Sequence, residues 1–170
     1  MDLALNSVDD EELLLDLLNT TPVIDGSPTD TLADHRAAAP WLTGHGLSTS
    51  REEWQTLRRA RALLQAIVRG EETPSALQPI LAAAQLVPTA TEAGVQWQLT
   101  GATGAVRAAL AWDGLRITSP GRLRPCANTE CHLFLLDRSK PNTARWCSMA
   151  VCGNRMKARR HHSRNRAVNP

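Results

Sequence analysis

The chain has four cysteines in 170 residues, and all of them fall between positions 126 and 152. They form two pairs, Cys126-Ala-Asn-Thr-Glu-Cys131 and Cys147-Ser-Met-Ala-Val-Cys152, with fifteen residues between the pairs. Thiolates are soft donors, and four of them complete a tetrahedral zinc shell at about 2.3 Å from the ion. Two short-range pairs close such a shell with little loss of loop entropy. The spacing therefore predicts one zinc ion bound by Cys126, Cys131, Cys147 and Cys152. The competing readings are two unrelated pairs of buried thiols, or a pair of disulfides, which calls for an oxidising compartment. The opening Met-Asp-Leu-Ala-Leu-Asn has neither the basic nor the long apolar segment of an export signal. A shell closed by four thiolates keeps no position for water or substrate, so the zinc is expected to be structural.

The residues after Cys152 carry the second chemistry. From Gly153 to Arg166 there are six Lys/Arg, two His and no acid. On a helix at about 100° per residue, Arg155, Arg159, His162 and Arg166 fall within roughly 60°, while Lys157, Arg160, His161 and Arg164 spread over roughly 100° of the other side. The expected nucleic-acid contacts are Asn154, Arg155, Lys157, Arg159, Arg160, Arg164 and Arg166. The lysine and the other arginines would neutralise phosphates; Arg155 and Asn154 are of the types that make bidentate contacts to guanine and adenine. Arg155 also lies only about 60° around the helix from Cys152, and on that geometry its expected role is to buttress the finger by bonding backbone carbonyls.

Together these residues resemble a known family. Cys-x4-Cys, the apolar segment His132-Leu133-Phe134-Leu135-Leu136, Arg145-Trp146-Cys147 and then Cys152-Gly153-Asn154-Arg155 with a basic tail are similar to the CGNR zinc finger. The resemblance implies a DNA-binding finger of bacterial transcription regulators, usually preceded by an ABATE domain, a mixed α/β element ancillary to transcription. Leu-Asp-Leu-Leu-Asn-Thr at 15–20 and Trp41-Leu42 followed by Gly46-Leu47 resemble that domain. Asn19-Thr20 is a recurring pair in it, read here as a side-chain cap on a turn.

The elements that position this chemistry follow from patterning. Composition is that of an ordinary globular protein, 42 % hydrophobic and 21 % charged, and no apolar run approaches the roughly 20 residues needed to span a bilayer. A cytoplasmic location is expected. Residues 1–121 hold 8 Lys/Arg and 15 Asp/Glu, net −7; residues 122–170 hold 11 and 2, net +9. An acidic body with a basic metal-bearing tail suits a nucleic-acid reader, and equally two halves that attract each other.

Acids at 9–12 precede a leucine-rich helix at about 10–19. A helical pattern over about 31–44 is expected to be broken by Pro40. Ser50 and Glu53 form a capping box for a helix at 51–69 that buries Trp54, Leu57, Ala60, Leu64 and Ile67, leaves its arginines on a solvated face and stops at Gly70. Thr73-Pro74 opens a helix to about Gln85. Val95, Trp97 and Leu99 alternate as a half-buried strand. Residues 103–118 fit strand and helix, and the resemblance favours a helix capped by Thr103.

Beyond Ser119-Pro120-Gly121, Leu133–Leu135 is expected to pair with a return strand at Arg145-Trp146-Cys147, and Ser148 to cap the final helix. Phe134, Leu136 and Trp146 would form a small core. The whole is an α+β chain. A mainly helical domain with a small strand element occupies about 1–120, and a treble-clef-like four-cysteine finger ending in a basic helix occupies 122–170.

The function expected is a zinc-binding transcription regulator that contacts DNA through that helix, its N-terminal domain sensing an effector or binding a partner. The alternatives are RNA binding and a protein-docking module, and self-association or the transcription machinery would supply further partners. No Gly-rich phosphate loop, Ser/His/Asp pattern or HExxH occurs, so catalysis is not expected.

Overall fold

The computed structural model describes residues 8–24 and 26–160. Three helices make its body: α1 (Val8–Leu18), α3 (Arg51–Arg69) and α5 (Gly104–Thr118) pack against one another. Their shared interior holds Leu14, Leu17, Leu18, Leu57, Leu64, Val106 and Trp112. α1 starts with Asp9, Asp10 and Glu11, whose charges favour the positive end of the helix dipole. α3 is capped by the Ser50 side chain, which accepts from the Glu53 amide, and stops at Gly70 in the left-handed region. α5 is capped by Thr103. A helix is therefore formed over 104–118 despite Gly114.

Several expectations change. The capping box at Ser50 is only half formed, because Glu53 turns away and its Oε1 accepts from the Gly104 amide at 2.8 Å, tying the start of α3 to the start of α5. Helix α2 (His35–Gly44) begins later than expected, capped by Asp34, and runs through Pro40 instead of breaking there. The bond that proline removes would use the Arg36 carbonyl in the exposed first turn, which water can serve. The α3 arginines are not all solvated. Arg61 is 7 % exposed and donates to Asp30 through Nη1 and Nη2, at 2.6 and 2.8 Å, and to Thr20 Oγ1 at 2.8 Å. Burial works to raise the Asp30 pKa, and the Arg61 and Leu32 hydrogen bonds outweigh it, so the carboxyl stays below its ordinary value.

The helix expected from Thr73 to Gln85 is instead a 3-10 turn (Pro74–Leu77) and a single turn α4 (Gln78–Leu81). Pro79 supplies no amide to extend it, and the Thr73 side chain makes no capping bond. Gln85 opens β3 (Gln85–Thr91), unforeseen, which pairs antiparallel with β4 (Gly94–Thr100). This hairpin is not half-buried: Val95 is 64 % and Trp97 43 % exposed. Gly101 turns the chain from it into α5 at φ +69°, where a Cβ would stand 2.2 Å from the Ala83 carbonyl oxygen.

A short ribbon of β1 (Val23–Ile24) and β2 (Ser27–Pro28) links α1 to α2. After α5, β5 (Leu123–Pro125) pairs antiparallel with β6 (Phe134–Leu136). The expected return strand at 145–147 is absent; that segment lies beside β5 through Arg124 Nε to the Ala144 carbonyl (3.0 Å) and the Ala127 amide to the Arg145 carbonyl (2.8 Å). Nor do Phe134 and Leu136 form a separate core with Trp146. Phe134 is 1 % exposed inside the helical cluster, with Leu123 and Leu136 packed against it and the Arg69 guanidinium 4.9 Å from its ring centre. Among the described residues no helix is long and apolar enough to cross a membrane.

Candidate metal centre

The β5–β6 pair places the first two cysteines. Cys126 directly follows β5, its amide bonded to the Leu133 carbonyl at 2.8 Å, and a tight turn closed by the Cys131 amide on the Asn128 carbonyl brings Cys131 round. Asn128 is fully buried and its side-chain amide donates to Cys152 Sγ at 3.5 Å. The Cys147 amide donates to Cys126 Sγ, also at 3.5 Å. Such N–H donors around a cluster of sulfurs orient them and offset negative charge.

The second pair depends on Asp137, whose part the sequence does not disclose. Only 3 % exposed, it accepts from Arg124 (2.6 Å), the Ala144 amide (2.8 Å) and the Ser139 amide (2.9 Å). Hydrogen bonding from Ser139, with the Ala144 amide and the Arg124 charge, holds its pKa down at about 2 against the effect of burial. One buried carboxylate thus gathers β5, the turn after β6 and the segment leading to Cys147. The sequence signal available was that Asp137 is one of only two acids, with Glu130, among the eleven cations of residues 122–170.

Ser148 caps the next turn as expected, accepting from the Val151 amide. That turn, Met149–Gly153, is of the wide π type, with the Gly153 amide on the Ser148 carbonyl at 3.0 Å. Gly153 is buried, and a Cβ there would stand 2.8 Å from Met149 Sδ and 3.3 Å from Trp146 Cδ1. A side chain there would have to displace the exposed end of Met149.

The four Sγ atoms lie within 4.8 Å of one another, with Cys131 to Cys147 at 3.6 Å and Cys147 to Cys152 at 3.7 Å. Sulfurs about 2.3 Å from a common tetrahedral centre stand about 3.8 Å apart, so this donor set fits one zinc ion. None of the four is in a disulfide. Burial pushes the Cys131 thiol up to about 11 and raises Cys147 as well, the latter with its thiol neighbours adding to the effect. For Cys152 burial is outweighed by the Asn128 amide and the neighbouring thiols, and its pKa is lowered. Sulfurs this close hold protons unless a cation replaces them, so zinc uptake must release protons.

Residues 154–160 continue as a helix, here α6. Asn154, Arg155, Lys157, Arg159 and Arg160 are all exposed on it, while Arg164 and Arg166 lie outside the described residues. The two basic stripes have different surroundings. Arg159 pairs with Glu130 in the cysteine turn, and Arg155 borders a small cleft with Glu130, His132 and Pro28. Lys157 and Arg160 lie about 140–200° around the helix from Arg155. The expected buttressing bonds of Arg155 are not present among the described residues. Asn154 donates to the Ala150 carbonyl at 3.2 Å, a local cap.

Asn19 is the other residue whose part the sequence did not disclose. The β5–β6 register turns the Phe134 amide and carbonyl away from β5, and the Asn19 side chain takes both, accepting from the amide at 2.7 Å and donating to the carbonyl at 3.3 Å. It caps a strand edge and not its own turn. Thr20, by contrast, does bond locally, donating to the Leu17 carbonyl at 2.8 Å.

Residues 122–165 match the family model of the CGNR zinc finger, and residues 11–129 match that of ABATE, described as "Putative stress-induced transcription regulator". No curated protein matches the chain.

Proposed function

We propose, from the premise that this chain belongs to the ABATE family and ends in a CGNR zinc finger, that it is a zinc-stabilised transcription regulator that binds duplex DNA through α6. The observation that carries this reading is a run of exposed cations, Arg155, Lys157, Arg159 and Arg160, on a helix whose first turn is anchored at the cysteine cluster. The Lys157 side of the helix is the natural phosphate-facing surface, since Arg159 already has an acidic partner in Glu130. Arg155, exposed beside a cleft, is available to a base edge or a phosphate. In this reading the helical body is the ancillary element that receives a partner or effector, and the protein catalyses no reaction. A zinc ion held by Cys126, Cys131, Cys147 and Cys152 supplies rigidity and no Lewis-acid step.

The test is fluorescence anisotropy of the zinc-loaded full chain with labelled duplex DNA and matched RNA across a salt series. Duplex DNA is expected to bind more tightly, with a steep salt slope that Lys157→Ala lowers by about 0.9, the contribution of one phosphate contact. Preference for RNA would replace this reading with an RNA-binding one. Binding of neither polymer at low salt would leave a protein-docking module.

A further inference from the structure

The four cysteines are not equivalent in access. Cys126 is 7 % and Cys152 3 % exposed, whereas Cys131 and Cys147 are only half-buried. Cys131 lines an open cleft of about 840 Å³ together with Pro28, Asp30, Arg69, Thr129 and His132. Its sulfur stands 3.6 Å from that of Cys147. Cys152, the other near neighbour of Cys147 at 3.7 Å, sits behind the Asn128 amide in the interior. An oxidant arriving from solvent therefore meets Cys131 first, and the most accessible second sulfur within reach is Cys147.

We propose that Cys131 and Cys147 are the oxidation site of the metal centre, where a hydroperoxide-class oxidant joins them as a disulfide and releases the zinc. The Cys131 thiolate attacks one peroxide oxygen and the O–O bond breaks; the sulfur becomes a sulfenic acid, and the departing hydroxide takes a proton to leave as water. The Cys147 thiolate then attacks the sulfenic sulfur, the S–S bond forms, and the second hydroxide leaves with another proton as water. Two thiolates lose two electrons in all and one hydrogen peroxide gains them. With that disulfide formed, only Cys126 and Cys152 would remain to hold a zinc ion, and two thiolates do not close a tetrahedral shell. The inference rests on the four-thiolate centre and not on nucleic-acid binding, so it stands or falls separately from the DNA reading.

The experiment uses the zinc-loaded full chain, its zinc content measured beforehand, titrated with hydrogen peroxide in the presence of a chromogenic zinc chelator. Free thiols are then alkylated and disulfides mapped by mass spectrometry. Cleavage after Glu130 separates Cys126 from Cys131, and cyanogen bromide at Met149 separates Cys147 from Cys152. The expected result is one zinc released per disulfide, with the first disulfide linking Cys131 to Cys147 and Cys126 and Cys152 still alkylated. A first disulfide that includes Cys126 or Cys152 would overturn the proposal. So would retention of zinc and of all four thiols at a dose that fully oxidises an equal concentration of a free cysteine peptide.

Discussion

Leu57 belongs to a cluster of buried apolar side chains drawn mostly from the helices, whereas around Asp137 the neighbours are an arginine and backbone amides. The helical body is held by many leucines at or near zero exposure, each worth about 1.5–3 kcal/mol and each replaceable by another side chain of similar volume. The metal end buries few apolar groups. Its interior is Cys126, Cys152, Asn128 and Asp137 beside Phe134 and Leu135. There one partner fixes another, and the loss of one member leaves the rest unpaired. The two regions meet at Phe134, whose ring belongs to the leucine core and whose backbone is held by Asn19. A body built from interchangeable contacts thus supports an end built from specific ones.

Metal removal should divide the regions most sharply. Structural zinc contributes on the order of 10 kcal/mol in apparent terms, so a strong chelator, or Cys152→Ser, should release residues 126–131 and 144–160 from protection against amide hydrogen exchange. α1, α3 and α5 should stay protected, since the buried cluster that holds their leucines includes none of the four cysteines. Phe134→Ala should reach both regions, lowering the unfolding free energy of the body by about 3–5 kcal/mol in urea while also weakening zinc affinity. Asn19→Ala should cost about 1–3 kcal/mol, because the Phe134 amide and carbonyl lose a partner in a half-buried place, and the cost should appear as faster exchange of the Phe134 amide.

Asp137→Asn should weaken zinc retention at neutral pH, read by competition with a chelator. Its pH dependence has a definite sign. A carboxyl held at about 2 in the folded protein and near 3.9 when unfolded stabilises the fold above the higher value and loses that contribution as pH falls towards 2. The difference in urea midpoint between the native protein and Asp137→Asn should therefore be constant down to about pH 4 and shrink below it.

The metal centre was legible because its chemistry is local in the chain. Two C-x4-C pairs and the Ser148 cap state their own geometry, and the 51–69 helix and its stop at Gly70 follow from one cap and one period. What escaped the sequence depends on partners far along the chain. Asn19 meets Phe134 across 115 positions, and Arg61 meets Asp30 across 31. An amide or a guanidinium in a helix pattern does not reveal which distant group it will satisfy. The hydrophobicity of Phe134 says that it is buried but not against what, so from sequence it reads as part of a separate finger core. Leu86 and Val87 do not announce a strand, because Leu77, Ile80, Leu81 and Ala84 keep a helical period right up to it. The exposed alternation of Val95 and Trp97 shows the converse, since period two marks a strand without marking what covers it.

X-ray absorption at the zinc edge, together with metal counting on the purified full chain, tests the central claim most directly. One zinc per chain surrounded by four sulfurs at about 2.3 Å is the predicted result. A shell containing nitrogen or oxygen, or a chain that keeps its order over 126–131 and 144–160 with no metal bound, would contradict it.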